Sequence, residues 1–349
     1  MVTETAPGRI MNASLVIPTH NRRDTLTRVL ATYCRQDHRR SDFELTVVDD
    51  GSIDDTSSLF ESLEKKELDG SEQIPEKYRN CILLIRQGWY SPPSRSSHAL
   101  QPVFLRFTRI VKSGRSVARN IGIILSSNPL IVFADDDIFV ECSFVKKHVE
   151  SHSPDDRTVV MGRVIHTRSI ENPFAAGWKL KDINAAFLAT GNASVLKTHL
   201  IDAGLFDEGY SVYGWEDFDL GVHLKEKGII SVKKRIYGYH YDPPDHSLEP
   251  ERVYEKERER GFSAVYFYKN HPLPWVRRFT LINNRPLQAA VRILGCRNWF
   301  LSKSKISAFR GILRLLIRYK GYFDGVRDGK RHYMIDRPSS RKMGLIKDR

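Results

Sequence analysis

Long apolar runs are missing from this 349-residue chain. No window approaches the ~18 consecutive apolar residues of a spanning helix, and residues 1–13 hold no apolar core of a leader segment. Neither membrane spanning nor secretion is expected. Cysteine is scarce: Cys34, Cys81, Cys142 and Cys296 are scattered without Cys-x-x-Cys spacing, and are expected to be reduced, buried thiols of a cytosolic protein. Internal repeats are also lacking. Acidic residues are rare at one end only. Residues 277–349 carry 19 Lys and Arg against 4 Asp and Glu, whereas residues 1–276 carry 36 against 38. A nucleic-acid binder would spread its basic footprint over the fold, so nucleic acid is not expected as a partner. The basic end points instead to an anionic membrane surface or an acidic partner. What remains is 41% hydrophobic and 28% charged, a globular composition able to bury one large core or two smaller ones.

The chain is organised around Phe133-Ala134-Asp135-Asp136-Asp137-Ile138, which ends the apolar run Leu130-Ile131-Val132-Phe133. A short β-branched and aromatic run predicts a buried parallel-type strand, and such strands present ligands at their carboxyl ends. Three adjacent carboxylates there repel one another and are costly to desolvate, which favours a bound cation over a solvated acidic turn. Oxygen ligands suit Mg²⁺ or Mn²⁺, ions commonly shared with substrate phosphates.

Upstream, Leu15-Val16-Ile17-Pro18-Thr19-His20-Asn21-Arg22 reads as strand and turn, followed by a helix with Leu26, Val29, Leu30 and Tyr33 on one face. Val47-Val48-Asp49-Asp50-Gly51-Ser52 closes a second strand, completing a βαβ unit. A helix is expected from Asp54 through Leu63. Residues 86–109 are irregular and read as an insertion before, or a doubling of, the third strand, with 103–108 alternating. Lys112-Ser113-Gly114-Arg115 then opens a helix bearing Arg119 and Asn120; Arg119 could meet a phosphate or a carboxylate on the sheet.

Farther on, Val159 to Ile165 and residues 188–195 read as strands, and Tyr213-Gly214-Trp215-Glu216-Asp217-Phe218-Asp219-Leu220 starts a helix. Carboxylates at a helix N-terminus are kept ionised and competent as bases, and an aromatic plane beside them suits a sugar ring. Residues 229–241 read as a strand in which His240 is either a metal ligand or a packing residue. Asp242-Pro243-Pro244-Asp245 begins a loop, and residues 249–261 and 264–272 read as helices. In residues 303–319, Ile306, Phe309, Ile312, Leu313, Leu316 and Ile317 follow helical spacing with Arg310, Arg314 and Arg318 every fourth residue. That helix either lies in a membrane interface or docks on the rest of the protein.

The ordered pair of Pro-Thr-x-Asn turn and Val-Val-Asp-Asp-Gly-Ser strand end, followed by Asp135-x-Asp137, resembles the family 2 glycosyltransferases. Gly-Trp-Glu-Asp-x-Asp-Leu resembles the acceptor signature of inverting GT-A enzymes, including the galactosyltransferase-like subgroup. The resemblance, which covers about residues 14–241, implies an α/β GT-A fold, a Rossmann-like nucleotide-sugar-binding sandwich, with a donor-binding half at 14–140 and an acceptor-binding and catalytic half at 141–246. Composition and pattern add a flexible N-terminus at 1–13, a mainly helical basic C-terminal extension at 247–335 and a disordered tail at 336–349. The resemblance also implies donor contacts from Thr19, Asn21, Asp49, Arg119, Asp135 and Asp136, acceptor contacts from Gly191, Asn192, Trp215 and Glu216, a metal ion (Mn²⁺ or Mg²⁺) on Asp137 and His240, and Asp217 as general base. Asp219 is left between support of the site and helix capping, Asn21 could equally shape its turn, and Asp50 could cap a helix. The implied function is metal-dependent, inverting transfer of a hexosyl or N-acetylhexosaminyl group from a nucleotide diphosphate sugar, with a UDP-sugar favoured. The acceptor would be a hydroxyl of a glycan or lipid-linked glycoconjugate, handled by a cytoplasmic protein peripheral to the inner membrane face. Two rivals remain at this stage. A nucleotidyltransferase would need a glycine-rich, lysine-containing loop where Pro18-Thr19-His20-Asn21 stands, and a silent sugar-binding scaffold would not need acids at 135, 137 and 217.

Overall fold

The computed structural model describes residues 11–68, 74–92, 100–182, 186–243, 250–301 and 310–333. They divide into two compact units, Met1–Gly209 with Glu216–Pro243, and Tyr210–Trp215 with Pro244–Arg349. The expected donor and acceptor halves are not separate bodies, because one sheet runs through both. Residues 210–215 join the C-terminal unit, and the expected boundary after residue 246 lies outside the described residues.

In the first unit the strands are β1 (Ala13–Thr19), β2 (Phe43–Asp50), β3 (Glu64–Lys66), β4 (Ile82–Tyr90), β5 (Val103–Ile110), β6 (Leu130–Ala134), β7 (Ile138–Val140), β8 (Thr158–Thr167), β9 (Asn192–Leu196) and β10 (Ile230–Tyr241). They form a ten-stranded sheet in the order β3-β4-β5-β2-β1-β6-β9-β8-β10-β7. Helices α1 (Arg23–Tyr33), α2 (Glu76–Arg79), α3 (Arg115–Leu125), α4 (Phe144–Val149), α5 (Lys197–Asp202) and α6 (Glu216–Glu226) belong to the same unit.

Strand β1 lies parallel between β2 and β6, and every residue of β2 and β6 is buried. Unbroken apolar runs are what a strand covered on both faces requires. Alternation then splits the core. Leu15, Ile17, Leu45, Val47 and Val132 pack with Leu26, Leu30 and Tyr33 of α1, whereas Val16, Ile131 and Phe133 pack with Leu200 of α5 and with Leu220 and Leu224 of α6. Thr19, Asp49-Asp50 and Asp135 thereby come to the carboxyl end of the three parallel strands, where open α/β sheets bind ligands. After Asp137 the chain crosses to the sheet edge, and β7 pairs antiparallel with β10, setting Ile138 opposite His240.

Three local expectations change. The helix expected after Asp54 is a short 3-10 turn, Thr56–Phe60, followed by edge strand β3. Asp55 is left-handed at φ 61°, and the Asp54 carboxylate accepts from the Thr56 N–H and hydroxyl, which turns the chain before an α-helix can propagate. The irregular 86–109 stretch contains the second half of β4, antiparallel to β5, with residues 93–99 outside the described set. Cys34 is buried as expected, but Cys142 is exposed and Cys81 half-buried; all three are free thiols.

The second unit contains α7 (Pro250–Asn270), α8 (Pro274–Phe279), α9 (Arg285–Leu301) and α10 (Arg310–Tyr333). Where two helices were expected between 249 and 272, one helix runs through, because nothing between Gly261 and Ala264 breaks it. The first part of the expected basic helix, residues 302–309, lies outside the described residues, as do Pro244, Asp245 and the 336–349 tail. Its continuation in α10 is a packing helix. Gly321 and Gly325 sit one turn apart, and a Cβ on them would collide with the Tyr254 and Arg258 carbonyl oxygens of α7; Gly261 of α7 meets the Tyr322 carbonyl likewise. Backbones this close bury Val326 and let Tyr254 donate to Asp324 at 2.8 Å and Arg318 pair with buried Glu257 at 2.8 Å. Among the described residues no helix is long and apolar enough to cross a membrane.

Candidate active site

The acids after β6 separate by direction. Asp136 turns inward and accepts from the Thr19 hydroxyl at 2.7 Å. Burial, and then the neighbouring Asp137 charge, push its carboxyl up to about 7. Asp137 Oδ2 is 3.2 Å from Arg22 Nη1. Its Oδ1 is buried without a hydrogen bond, 3.5 Å from His240 Nε2. Burial raises the Asp137 pKa as well, against the opposing pull of His240. An unbonded carboxylate oxygen facing an imidazole nitrogen, beside the buried Asp136 carboxyl, fits a divalent cation, and this mixed donor pair suits Mn²⁺ at least as well as Mg²⁺.

Asp135 leads to the other side of the site. Arg119, on α3 and 5% exposed, donates to Asp135 Oδ1 at 3.1 Å, and its Nη1 lies 3.5 Å from Glu216 Oε1 and 3.9 Å from Asp217 Oδ1. Of the two partners expected for Arg119, the structure gives it the carboxylates, and burial among them makes it a fixed counter-ion. Its burial disfavours the charge, but Asp217, Asp135 and Glu216 together outweigh that and raise its pKa. Asp217 stands at the first turn of α6 and receives the Thr190 N–H and hydroxyl at 3.1 and 3.0 Å. Burial pushes its carboxyl up to about 6, with Arg119 opposing and Glu216 adding. A carboxylate in that range is a stronger base than a solvated one and is still ionised at neutral pH. Gly191 follows the same path: β6 pairs with β9 so that Ala134 opposes Asn192, and a Cβ at Gly191 would come 3.5 Å from Asp135 Oδ2. Glu216 is buried between Arg119 and Arg115, with Oε2 lacking a hydrogen bond.

The other strand-end and acceptor-side residues are held within the protein as follows. Asp49 is fully buried; its Oδ1 accepts from Ser52 N–H at 2.9 Å, and its Oδ2, which has no hydrogen bond, lies 3.8 Å from Arg109. Asp50 takes the Ser113 and Gly114 N–H groups and Lys112, capping the approach to α3. Asn21, left-handed at φ 53°, accepts from Ile53 N–H at 2.8 Å and so locks its turn to the β2 turn. Asn192 is 1% exposed and fully engaged, its Oδ1 accepting from His148 Nε2 at 3.0 Å and its amide nitrogen donating to the Arg163 and Ile236 carbonyls. That satisfied network leaves it no group for an acceptor. Trp215 belongs to the second unit, 7% exposed, with its ring stacked 5.5 Å from Phe267 and its N–H given to the Arg260 carbonyl. An indole so covered offers no open face to a sugar.

Residues not expected from the sequence also surround the triad. Arg22 and Thr190 are described above. His166 and Asp242 sit beside His240: β8 and β10 pair His166 with His240, and Asp242 is 2.8 Å from His166 Nδ1 and 3.1 Å from His240 Nδ1. The His-x-Asp spacing at 240 and 242, one strand face by alternation, was a usable signal for Asp242. Nothing in the sequence pairs His166 with them.

Residues 14–86, which carry Thr19, Asn21 and Asp49-Asp50, match the model of "Glycosyl transferase family 2". Among curated proteins the chain is 23% identical to the uncharacterized glycosyltransferase YfnE of Bacillus subtilis, over 67% of this chain and 66% of that protein. It is 24% identical to the validoxylamine A glucosyltransferase of Streptomyces hygroscopicus subsp. jinggangensis, over 82% of this chain and 67% of the other. The chain thus spans about two thirds of these relatives. Among solved structures, the mannosyltransferase PcManGT from Pyrobaculum calidifontis, in complex with GDP-Man and Mn²⁺, shares the fold at a TM-score of 0.53 and 15% identity, covering 95% of this chain and 90% of that one. Taken together, the match over residues 14–86, the GT-A sheet and the glycosyltransferase relatives make this chain similar to the family 2 glycosyltransferases.

Proposed function

We propose that the protein transfers a hexosyl or N-acetylhexosaminyl group, with inversion, from a nucleotide diphosphate sugar to a hydroxyl, and that the donor is a UDP-sugar. The observation that carries this is the reach of Arg119: one buried guanidinium lies within 4 Å of both Asp135 and Asp217, so the donor-side and acceptor-side acids share one counter-ion. Asp217 is the general base. It takes the proton of the acceptor hydroxyl, whose oxygen forms a bond to the anomeric carbon as the bond to the diphosphate oxygen breaks. The leaving diphosphate keeps that electron pair, and attack from the opposite face inverts the configuration. A divalent ion held by Asp137 and His240 would supply neutralisation of the departing charge. Arg22 supports the same charge from the end of the β1 turn, Asp135 and Gly191 bound the sugar side, and Thr190 fixes the Asp217 carboxylate. Thr19 holds Asp136 aside. The test is release of nucleoside diphosphate from a panel of UDP-, GDP- and dTDP-sugars in Mn²⁺ and in EDTA.

The acceptor is proposed to be carried at an anionic membrane surface, touched by α8 rather than by α10. Residues 260–323 contain thirteen Lys and Arg and no acid. On α8 only Val276 is buried, while Trp275 and Phe279 are 46% and 47% exposed beside exposed Arg277 and Arg278. Aromatic and basic side chains together suit a headgroup boundary, at about 1 kcal/mol per basic residue. Full-length protein should float with anionic vesicles and not with neutral ones, in a salt-sensitive manner. The Trp275→Ser, Arg277→Glu, Arg278→Glu variant should lose most of that flotation; equal flotation of variant and native protein would sink the assignment to α8.

A further inference from the structure

We propose that Asp242, backed by His166, is a positioning carboxylate that decides which nitrogen of His240 is presented to the metal. The inference rests on the metal site of the reading above and assigns a role to two residues outside it.

The backbone fixes the geometry first. Tyr241 N–H donates to the Asp137 carbonyl at 2.9 Å and Asp242 N–H to the Thr167 carbonyl at 2.8 Å, so the end of β10 is tied on both flanks. His240 and Asp242 then share one strand face, and the β8–β10 register sets the His166 ring 5.0 Å from that of His240. In this space Asp242 Oδ2 is hydrogen-bonded to His166 Nδ1 at 2.8 Å, and Oδ1 approaches His240 Nδ1 to 3.1 Å without hydrogen-bond geometry.

An ionised carboxylate only accepts, so His166 Nδ1 carries hydrogen, and a carboxylate oxygen 3.1 Å from His240 Nδ1 disfavours a lone pair there, which leaves the lone pair of the neutral ring on Nε2. That tautomer is the one a metal needs from His240, whose Nε2 faces the unbonded Oδ1 of Asp137 at 3.5 Å. Without Asp242 the neutral ring is free to place its hydrogen on Nε2. It would then donate to Asp137 and close the pair against a cation. His166 acts one step behind: by engaging Oδ2 it fixes the plane of the Asp242 carboxylate, and so the direction of Oδ1. Groups of this kind orient metal-bound imidazoles and typically change metal affinity by 10–100-fold when removed.

The experiment titrates Mn²⁺ into full-length protein in the presence of UDP, reading free Mn²⁺ by its electron paramagnetic resonance signal. UDP binding in EDTA is measured alongside. Asp242→Ala should weaken Mn²⁺ binding by about 10–100-fold and leave UDP affinity in EDTA unchanged. Asp242→Asn, whose amide oxygen can still accept from His240, should recover part of the loss, and His166→Phe should show a smaller weakening than Asp242→Ala. Mn²⁺ affinity in Asp242→Ala within about twofold of the native value overturns the proposal. So does an asparagine variant as weak as the alanine one, which would make Asp242 a direct ligand, or a parallel loss of UDP binding in EDTA, which would mean general damage. Native protein that binds no Mn²⁺ with UDP present removes the metal site itself, a failure distinct from a native protein that binds and an Asp242→Ala variant that binds equally.

Discussion

Asp217→Asn is expected to lower turnover by roughly 10²–10⁴-fold, the range that a positioned general base contributes. Asparagine keeps the shape of the side chain and can still engage Thr190, so the fold and donor affinity should be nearly unchanged. The loss should appear in kcat and kcat/KM together, the pattern of an interaction made in the transition state. The pH profile gives an independent sign. Burial raises the Asp217 carboxyl to about 6, and the base form is the deprotonated one. Activity of the native protein should therefore be full above that pH and fall as pH drops through it. In Asp217→Asn the residual activity should lack this acid limb. Turnover within a few-fold of native would remove Asp217 as the base.

Asp137→Ala should be nearly as damaging, at more than about 10²-fold in turnover, beyond the usual cost of losing a residue that only supports a ligand. The reason lies in the charge balance of the triad. Asp136 and Asp137 are both pushed up by burial, so three neighbouring carboxyls are retained here at a cost in stability that a cation would offset. Removing Asp137 takes away the oxygen facing His240 and leaves Arg22 without its acid. Calorimetry should show that native protein binds UDP more tightly with Mn²⁺ than in EDTA, and that Asp137→Ala binds with the EDTA value under both conditions. Native UDP affinity indifferent to the chelator would contradict the metal assignment.

How much of this was legible in the sequence varies with the kind of force involved. Strands β1, β2 and β6 were readable because burial on both faces demands continuous apolar residues, and no other element of this length does. Their strand-end motifs were readable for a related reason: turns and carboxylates follow the strands directly, so position in the chain and position at the sheet edge coincide. The turn at Asp55 was not readable, since it depends on Asn21 gripping Ile53 across 32 residues. Burial of polar groups was the main blind spot. Asn192 looked available in sequence, yet its partners His148, Arg163 and Ile236 come from three other segments. Trp215 adjoins Glu216 in the chain, but its ring is claimed by Phe267 and Phe279, more than fifty residues away. Gly321 and Gly325 of α10 lie beyond the amphipathic pattern of residues 303–319, and they are the contact surface with α7. Arg119 shows the opposite case, in which the sequence offered two partners and only the β6–α3–α6 arrangement selected the acids.

Metal-dependent transfer from a nucleotide sugar can be measured with the native protein. Native protein is incubated with each member of a panel of UDP-, GDP- and dTDP-sugars, in Mn²⁺ and in EDTA, and released nucleoside diphosphate is quantified against Asp217→Asn. The account predicts release from one nucleotide class, strongest for a UDP-sugar, present with Mn²⁺, abolished by EDTA and nearly absent in the variant. Release that is equal in EDTA, or no release from any member of the panel above that of Asp217→Asn, would contradict it.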